Sequence, residues 1–250
     1  MTEAADRLAA VDRGSFFFLN QEVRFEGAIR WHDPNLSQLW RYHLHYFDYV
    51  RDLLVAAGPG SDERCFGVFH AIAESWMAGN RRIHGDGWHP YTISRRIVNW
   101  LNAALAFDAP FRRDSDFRDR FLGSVFGQAR VLARNLEFDV RGNHLLENVR
   151  ALLWAGVAFE NEEAMEWRRL ALAILETEIK EQVLSDGGHF ERCPGYHLVV
   201  LKDLLEIGLW LRRNQVTPPE SLDAALRRML DFLGAIMTPD GKVPLLKDTA

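Results

Sequence analysis

The sequence predicts an all-α chain built of helix hairpins. Three observations carry this. From about Gln38 to residue 237 the apolar residues recur at steps of three and four, as an amphipathic helix requires. The periodic stretches are separated by short breakers rich in Gly, Pro, Asp and Asn, and strand-like patterning is confined to Phe16–Leu19 and Val23–Phe25.

Taken in order, the opening MTEAADRLAAVDRG is polar and charged and carries no secretory signal. Residues 1–37, with the two strand-like runs, are expected to hold little helix, and 38–250 to form the helical domain. Leu39, Tyr42, Tyr46, Tyr49, Val50 and Leu53 make the first helical stripe. Similar stripes cover roughly 62–79, 92–107, 115–136, 143–158, 162–182, 195–213 and 219–237, about eight helices in all. The breakers are AAGPGSD, GNRRIHGDGWHPY, DAPFRRD, DVRGN, LSDGGHFERCPG and NQVTPPE. No repeat of fixed period appears, which excludes TPR-like and ankyrin-like solenoids.

Composition narrows the function. In 250 residues, 30 Lys and Arg against 35 Asp and Glu leave a net charge of −5, spread evenly. That excludes nucleic-acid or anionic-membrane binding through bulk electrostatics. No apolar run approaches the ~20 residues that span a bilayer, so no membrane insertion is expected. Cys65 and Cys193 are too few for a disulfide framework and lack metal-ligand spacing, leaving one disulfide or two thiols. Zinc-hydrolase, serine-hydrolase, dinucleotide-fold and P-loop signatures are absent, and no metal or cofactor is expected. The ring content stands out, with 16 Phe, 8 Trp, 5 Tyr and 9 His. Much of it lies beside Gly, Pro, His and Asn, which suggests a ring-lined cleft at the helix mouths.

Three breakers carry chemistry. In RGNH, Asn143 stands where a helix N-cap would. It is either that cap or a ligand group. His144 and Glu147 are three apart, hence on one helix face, where a carboxylate would fix the imidazole tautomer. In DGGHFERCPGYH, Tyr196 opens an apolar helix beside His197, His189, Glu191 and Arg192. It is either a packing residue or a phenol whose pKa is lowered by Arg192 or a protonated His. In GDGWHPYTISRR, Trp88, His89 and Tyr91 suit stacking on a sugar ring, with Arg95 or Arg96 for a carboxylate or sulfate. The bland alternative is a Pro-initiated helix with Trp88 packed at its start. His43 and His45 point to different sides of their helix and read as packing residues.

These segments, with LHYFD from Leu44 to Asp48, closely resemble the helical domain of the heparinase II/III-like polysaccharide lyases, from roughly Trp40 to Pro244. The resemblance implies an incomplete (α/α) toroid, normally followed by a β-sandwich that contributes a further His. It implies β-elimination on an anionic, uronic-acid polysaccharide: a glycosaminoglycan, alginate or a bacterial exopolysaccharide. Asn143 and His144 would neutralise the uronate carboxylate, Tyr196 would take the C5 proton and protonate the leaving oxygen, and Glu147 would orient His144. Trp88, His89, Tyr91, Arg96, Asn99, Glu191 and Arg192 would contact substrate. The family works in the periplasm or outside the cell. The chain departs from the pattern at Lys247, where an Asn precedes the Asp, and ends where the family continues. The expectation is a domain truncated at its C-terminus and, alone, weakly active or inert. Two other readings stand beside this one. A toroid glycoside hydrolase would need two carboxylates about 5–10 Å apart, drawn from Asp86, Glu147 and Glu191. A non-catalytic polysaccharide-binding or exopolysaccharide-biosynthesis module would need no catalytic base.

Overall fold

The helical stripes become helices almost where the periodicity puts them. The computed structural model describes residues 2–58, 63–247 and 249. The last four residues of the AAGPGSD breaker, Asp248 and Ala250 lie outside them. Contacts divide the chain into two compact units, Met1–Asn135 and Leu136–Ala250.

The first unit opens with helix α1 (Thr2–Asp12), where little helix is expected; a polar segment with Ala4, Leu8 and Val11 at helical spacing buries those three. Strands β1 (Ser15–Phe18) and β2 (Gln21–Arg24) pair antiparallel as a hairpin. Its two-residue turn, Leu19–Asn20, has φ of 53° and 59°, the left-handed pair that matches strand twist. The first stripe is not one helix but two, α2 (Gln38–Tyr46) and α3 (Val50–Ala57). Phe47 ends α2 at φ 62° and turns its ring into the core. Then follow α4 (Glu63–Gly79), a 3₁₀ turn Asp86–Trp88, α5 (Pro90–Ala106), α6 (Asp108–Arg113) and α7 (Ser115–Ala133). Helix α6 fills part of the expected DAPFRRD breaker.

This unit absorbs the ring excess. Trp40, Phe47, Phe69, Trp76, Trp100, Phe107, Phe117 and Phe121 are buried. Trp100 stacks on Phe121 at 4.8 Å and meets Trp76 edge-on at 5.4 Å and Phe47 at 5.3 Å. Each such ring buries some 150–250 Å². The expectation that much of the ring content lines a cleft is therefore corrected: these large rings are core. His45 belongs to that core. It accepts at Nδ1 from Trp76 Nε1 (3.0 Å) and donates from Nε2 to Trp31 O (3.1 Å). Burial and the nearby Arg96 charge push its pKa well down, so the ring is neutral.

Among its described residues the second unit has four helices: α8 (Gly142–Ala158), α9 (Glu162–Gln182), α10 (Pro194–Arg213) and α11 (Glu220–Ile236). A three-residue turn capped by Asn161 reverses α8 into α9, and Gln182 at the far end of α9 donates to Gly142 O (2.9 Å). That hairpin is antiparallel. So is α10–α11, where His197 pairs with Met229 O at 3.1 Å. Helix α8 packs on α10 and α9 on α11, giving two layers of helices. Register fixes direction within a layer: Arg150 of α8 meets Asp203 of α10 at 3.2 Å, and Trp154 stacks on Trp210 at 4.7 Å. Both pairs advance along their chains together, so α8 and α10 are parallel and start at the same end. Cys65 and Cys193 are both buried, and neither is in a disulfide.

Candidate active site at the mouths of α8 and α10

Helix α8 starts without a side-chain cap. Arg141 occupies the cap position at φ 59°, and Gly142, at φ 55°, is the first helical residue. Asn143 is thus the second residue of the helix and not its cap, which corrects the structural half of the sequence reading. Asn143 and His144 are both half-buried at the mouth.

A carboxylate from the loop before α8 meets His144. His144 Nδ1 faces Glu137 Oε1 at 2.9 Å. Glu137 lies in the loop before α8, buried, and Asn148 holds it there. Asn148 Nδ2 donates to Glu137 Oε2 (2.8 Å), and the Glu137 N–H donates to Asn148 Oδ1 (2.9 Å). Glu147 lies on the inner face of α8, fully buried, and accepts from Arg150 at 3.2–3.3 Å. Arg150 also binds Asp203 and Glu206 of α10. The orienting role expected of Glu147 is corrected on this point. Three-residue spacing allows a pair on one helix, but a buried guanidinium on the adjacent helix turn claims the carboxylate.

The 183–193 loop docks on the mouth of α8. A Cβ on Gly142 would lie 2.8 Å from Glu191 Oε1, which puts that carboxylate against the first turn of α8. Gln182 anchors the loop base. Its amide nitrogen donates to Gly142 O and to Glu178 Oε2 (2.7 Å), so its oxygen faces His189 Nε2 at 3.1 Å and accepts from it. Burial pushes the His189 pKa down to about 4 and lowers that of His197. Both rings are neutral near pH 7, so neither supplies the cation that the sequence reading set beside Tyr196. Arg192 is exposed, with its backbone at φ 54°.

Tyr196 is half-buried on the first turn of α10, two residues after Pro194. Asn143 lies seven residues before Arg150, and Tyr196 seven before Asp203, each about 10 Å of helix rise. Because α8 and α10 run parallel with Arg150 against Asp203, the same end of the pair presents Asn143, His144 and Tyr196. Beside Tyr196 a cleft of about 420 Å³ is lined by His189, Arg192, Cys193, His197, Phe232 and Leu246 among others. Lys247 Nζ donates to Glu191 O at 3.1 Å, and Thr249 accepts from Gly195 N at 2.9 Å.

The aromatic segment belongs to the first unit. His89 is the N-cap of α5, its Nδ1 accepting from Tyr91 N (3.3 Å), with Pro90 next. Trp88 Nε1 donates to Asn80 O (3.1 Å), and Tyr91 meets Tyr46 edge-on at 5.6 Å. Trp88 and His89 line a cleft of about 370 Å³ with Tyr42 and Asp86. Two expected substrate contacts are closed off. Arg96 is fully buried, stacked over Trp76 at 3.8 Å and donating to Gln128, His45 O and Gly87 O. Asn99 is buried and donates to Tyr46 O and Asp48. Both brace α5 against α2, because a polar residue at a core position must find internal partners. Asp86 is tied to Arg41 at 2.5 Å, which, with the Glu147 ion pair, leaves the glycoside-hydrolase reading short of an acid.

Comparison with known proteins gives the family and the fold. Residues 3–250 match the family model described as Heparinase II/III N-terminus. A heparin-sulfate lyase of Bacteroides stercoris is 30% identical over 184 residues, covering 69% of this chain and 27% of that protein. The FtsZ-localized protein C of Caulobacter vibrioides is 28% identical over 205 residues, covering 82% of this chain and 34% of that protein. The crystal structure of heparan sulfate lyase HepC from Pedobacter heparinus superposes with a TM-score of 0.80 at 24% identity, over 98% of this chain and 40% of that one. This likeness shows the fold, the all-α, incomplete (α/α) toroid expected from the sequence. The chain thus spans well under half the length of the relatives it matches.

Proposed function

We propose that this chain, which belongs to the heparinase II/III family through its N-terminal helical region, is a polysaccharide lyase domain. It acts by β-elimination on a uronic-acid polysaccharide. The observation that carries this is the parallel packing of α8 on α10, which brings Asn143, His144 and Tyr196 to one helix end. The chemistry needs those groups together. A uronate C5–H is acidic enough only when the adjacent carboxylate is neutralised, the task of Asn143 and His144. Tyr196 then takes the C5 proton as the C4–C5 double bond forms. The C4–O4 bond breaks, and a proton delivered by the same phenol completes the leaving hydroxyl. Glu191 and Arg192 border the same mouth. Trp88, His89 and Tyr91 of the first unit are proposed to stack on sugar rings. Heparan-type polymers are the leading substrates, and the periplasm or cell exterior is the compartment that goes with them.

The test uses the longest natural form of the protein on heparan sulfate, heparin and alginate. Ultraviolet absorbance of an unsaturated uronate should appear, and Tyr196→Phe should abolish it with an unchanged melting temperature. No product from any of the three, or product retained in Tyr196→Phe, overturns the reading. A second reading, a non-catalytic module, draws on the relative named for localisation to FtsZ, which matches 82% of this chain. Polysaccharide binding that survives Tyr196→Phe, with no turnover in the wild type, would favour it.

A further inference from the structure

The chain has four lysines, and three of them are paired. Lys180 meets Glu176 at 2.7 Å, Lys202 meets Glu206 at 3.5 Å and Lys242 meets Asp240 at 2.9 Å. Lys247 makes no ion pair with a described residue. Its Nζ donates to a backbone carbonyl, Glu191 O, at 3.1 Å. A carbonyl fixes the position of an ammonium without balancing its charge, and two N–H groups are left over. The segment that carries Lys247 is pinned at the mouth. Thr249 Oγ1 accepts from Gly195 N (2.9 Å) and donates to Leu246 O (2.7 Å), and Leu246 lines the cleft of about 420 Å³. Lys247 itself sits at φ 54°, a left-handed conformation that a lysine adopts only where its surroundings impose it.

We propose that Lys247 is a substrate-binding residue whose ammonium takes an oxyanion, carboxylate or sulfate, on a sugar next to the one eliminated at Tyr196. The proposal rests on the reading of this mouth as the polysaccharide site. Two contacts place the charge there. Glu191, whose carbonyl holds Nζ, has its carboxylate against the first turn of α8, one residue before Asn143. Gly195, which holds Thr249, directly precedes Tyr196. The other charges of this rim leave the ammonium unbalanced. Glu191 turns its carboxylate to α8, and Asp186 accepts from Gly188 N at 2.9 Å, so neither pairs with Nζ. Arg141 is matched by Glu181 at 3.5 Å, while the exposed Arg192 adds a second cation. The rim is thus locally basic in a chain of net charge −5. Negative groups recur along a uronic-acid polymer, so a fixed cation beside the reacting ring meets one on a neighbouring sugar. A charge-assisted hydrogen bond to it would set which ring reaches Tyr196.

Calorimetry decides it, on the longest natural form of the protein carrying Tyr196→Phe to prevent turnover. The probes are a heparan sulfate tetrasaccharide and its desulfated counterpart. Lys247→Gln should weaken binding of the sulfated probe roughly fivefold, the upper end for an exposed ion pair. That difference should shrink as salt is raised to about 0.5 M. Lys247→Arg keeps the charge and should stay within about twofold of the parent. Arg213→Gln removes the same charge from the last residue of α10 and should change affinity by less than about twofold. A loss on both probes makes the partner a carboxylate, and a loss on the sulfated probe alone makes it a sulfate; either supports the proposal. A Lys247 that only latches its segment would lower the melting temperature in Lys247→Gln and leave the salt dependence of binding unaltered. That result overturns the proposal, as does an equal loss in Arg213→Gln. Binding that Lys247→Gln leaves untouched overturns the role of Lys247 alone. Binding of neither tetrasaccharide to the parent overturns the polysaccharide reading beneath it, and the role of Lys247 with it.

Discussion

Arg150→Met should destabilise the second unit by about 3–5 kcal/mol, the usual result of stripping the partner from buried ions. The guanidinium is 1% exposed and holds the fully buried Glu147 and Asp203 at 3.2 Å, with the part-exposed Glu206 completing the ring of carboxylates. Methionine fills most of the volume and can still lie on Trp154, so the loss is electrostatic rather than a cavity. Lys202, 3.9 Å from Asp203 and half in water, replaces little of the lost attraction. Without the guanidinium both carboxylates take protons more readily folded than unfolded. A group whose folded pKa is raised stabilises below its unfolded value and ceases to do so as pH rises. The deficit should therefore be smaller at about pH 5 than at about pH 7.5. Adding Glu147→Gln and Asp203→Asn to Arg150→Met should recover much of it. Urea unfolding of the three proteins at both pH values is the assay. A deficit below about 1 kcal/mol, or one that does not change with pH, would refute the claim that Arg150 balances buried charge between α8 and α10.

Acid should weaken the loop that docks on α8. His189 has a folded pKa of about 4 against ~6.5 unfolded, so its stabilisation is complete above ~6.5 and is lost as pH falls toward 4, at most about 3 kcal/mol. His189→Gln should flatten urea-derived stability across that window, and an unchanged slope would count against a buried neutral ring. Two alanine substitutions should separate clash from strain. Gly187→Ala sets a Cβ 2.1 Å from Arg228 O at φ 87° and should cost more than 3 kcal/mol, roughly the scale of severe core strain. Gly142→Ala, at φ 55°, meets only the flexible end of Glu191 and should cost about 1–2 kcal/mol. Similar losses in both would contradict the close approach of the loop to α11.

Periodicity located the helices because burial of one face is what each of them does. Helices α4, α9 and α11 begin and end within two residues of their apolar stripes. The failures have local causes. The stripe from Leu39 to Leu53 continues unbroken in sequence, yet Phe47 adopts φ 62° so that its ring can stack at 5.7 Å on Trp31. A distant tryptophan decides the break, and no window around Phe47 contains it. Helix α6 hides in DAPFRRD because proline at a first helical turn costs no hydrogen bond, so the residue that marks a breaker also fits a helix start.

The site divides along the same line. Asn143, His144 and Tyr196 were legible because chemistry-bearing residues at helix entrances stand out against apolar helices. Their partners were not. Glu147 had the right spacing from His144 but sits at a buried position, and burial is set by α10, about 50 residues away in the chain. Glu137 had no periodic relation to anything. The one available signal was an acidic residue in the loop that leads into RGNH, and only the fold-back held by Asn148 turns it into a ligand of the imidazole. Arg96 shows the converse error. A cation beside an aromatic segment suggests an anion site, but the apolar turns of α5 around it require an interior position. There its charge is spent on Gln128 and two carbonyls. Residue type thus marked the candidate groups at the helix mouths, while tertiary packing alone decided that Glu137 is a carboxylate that meets the histidine.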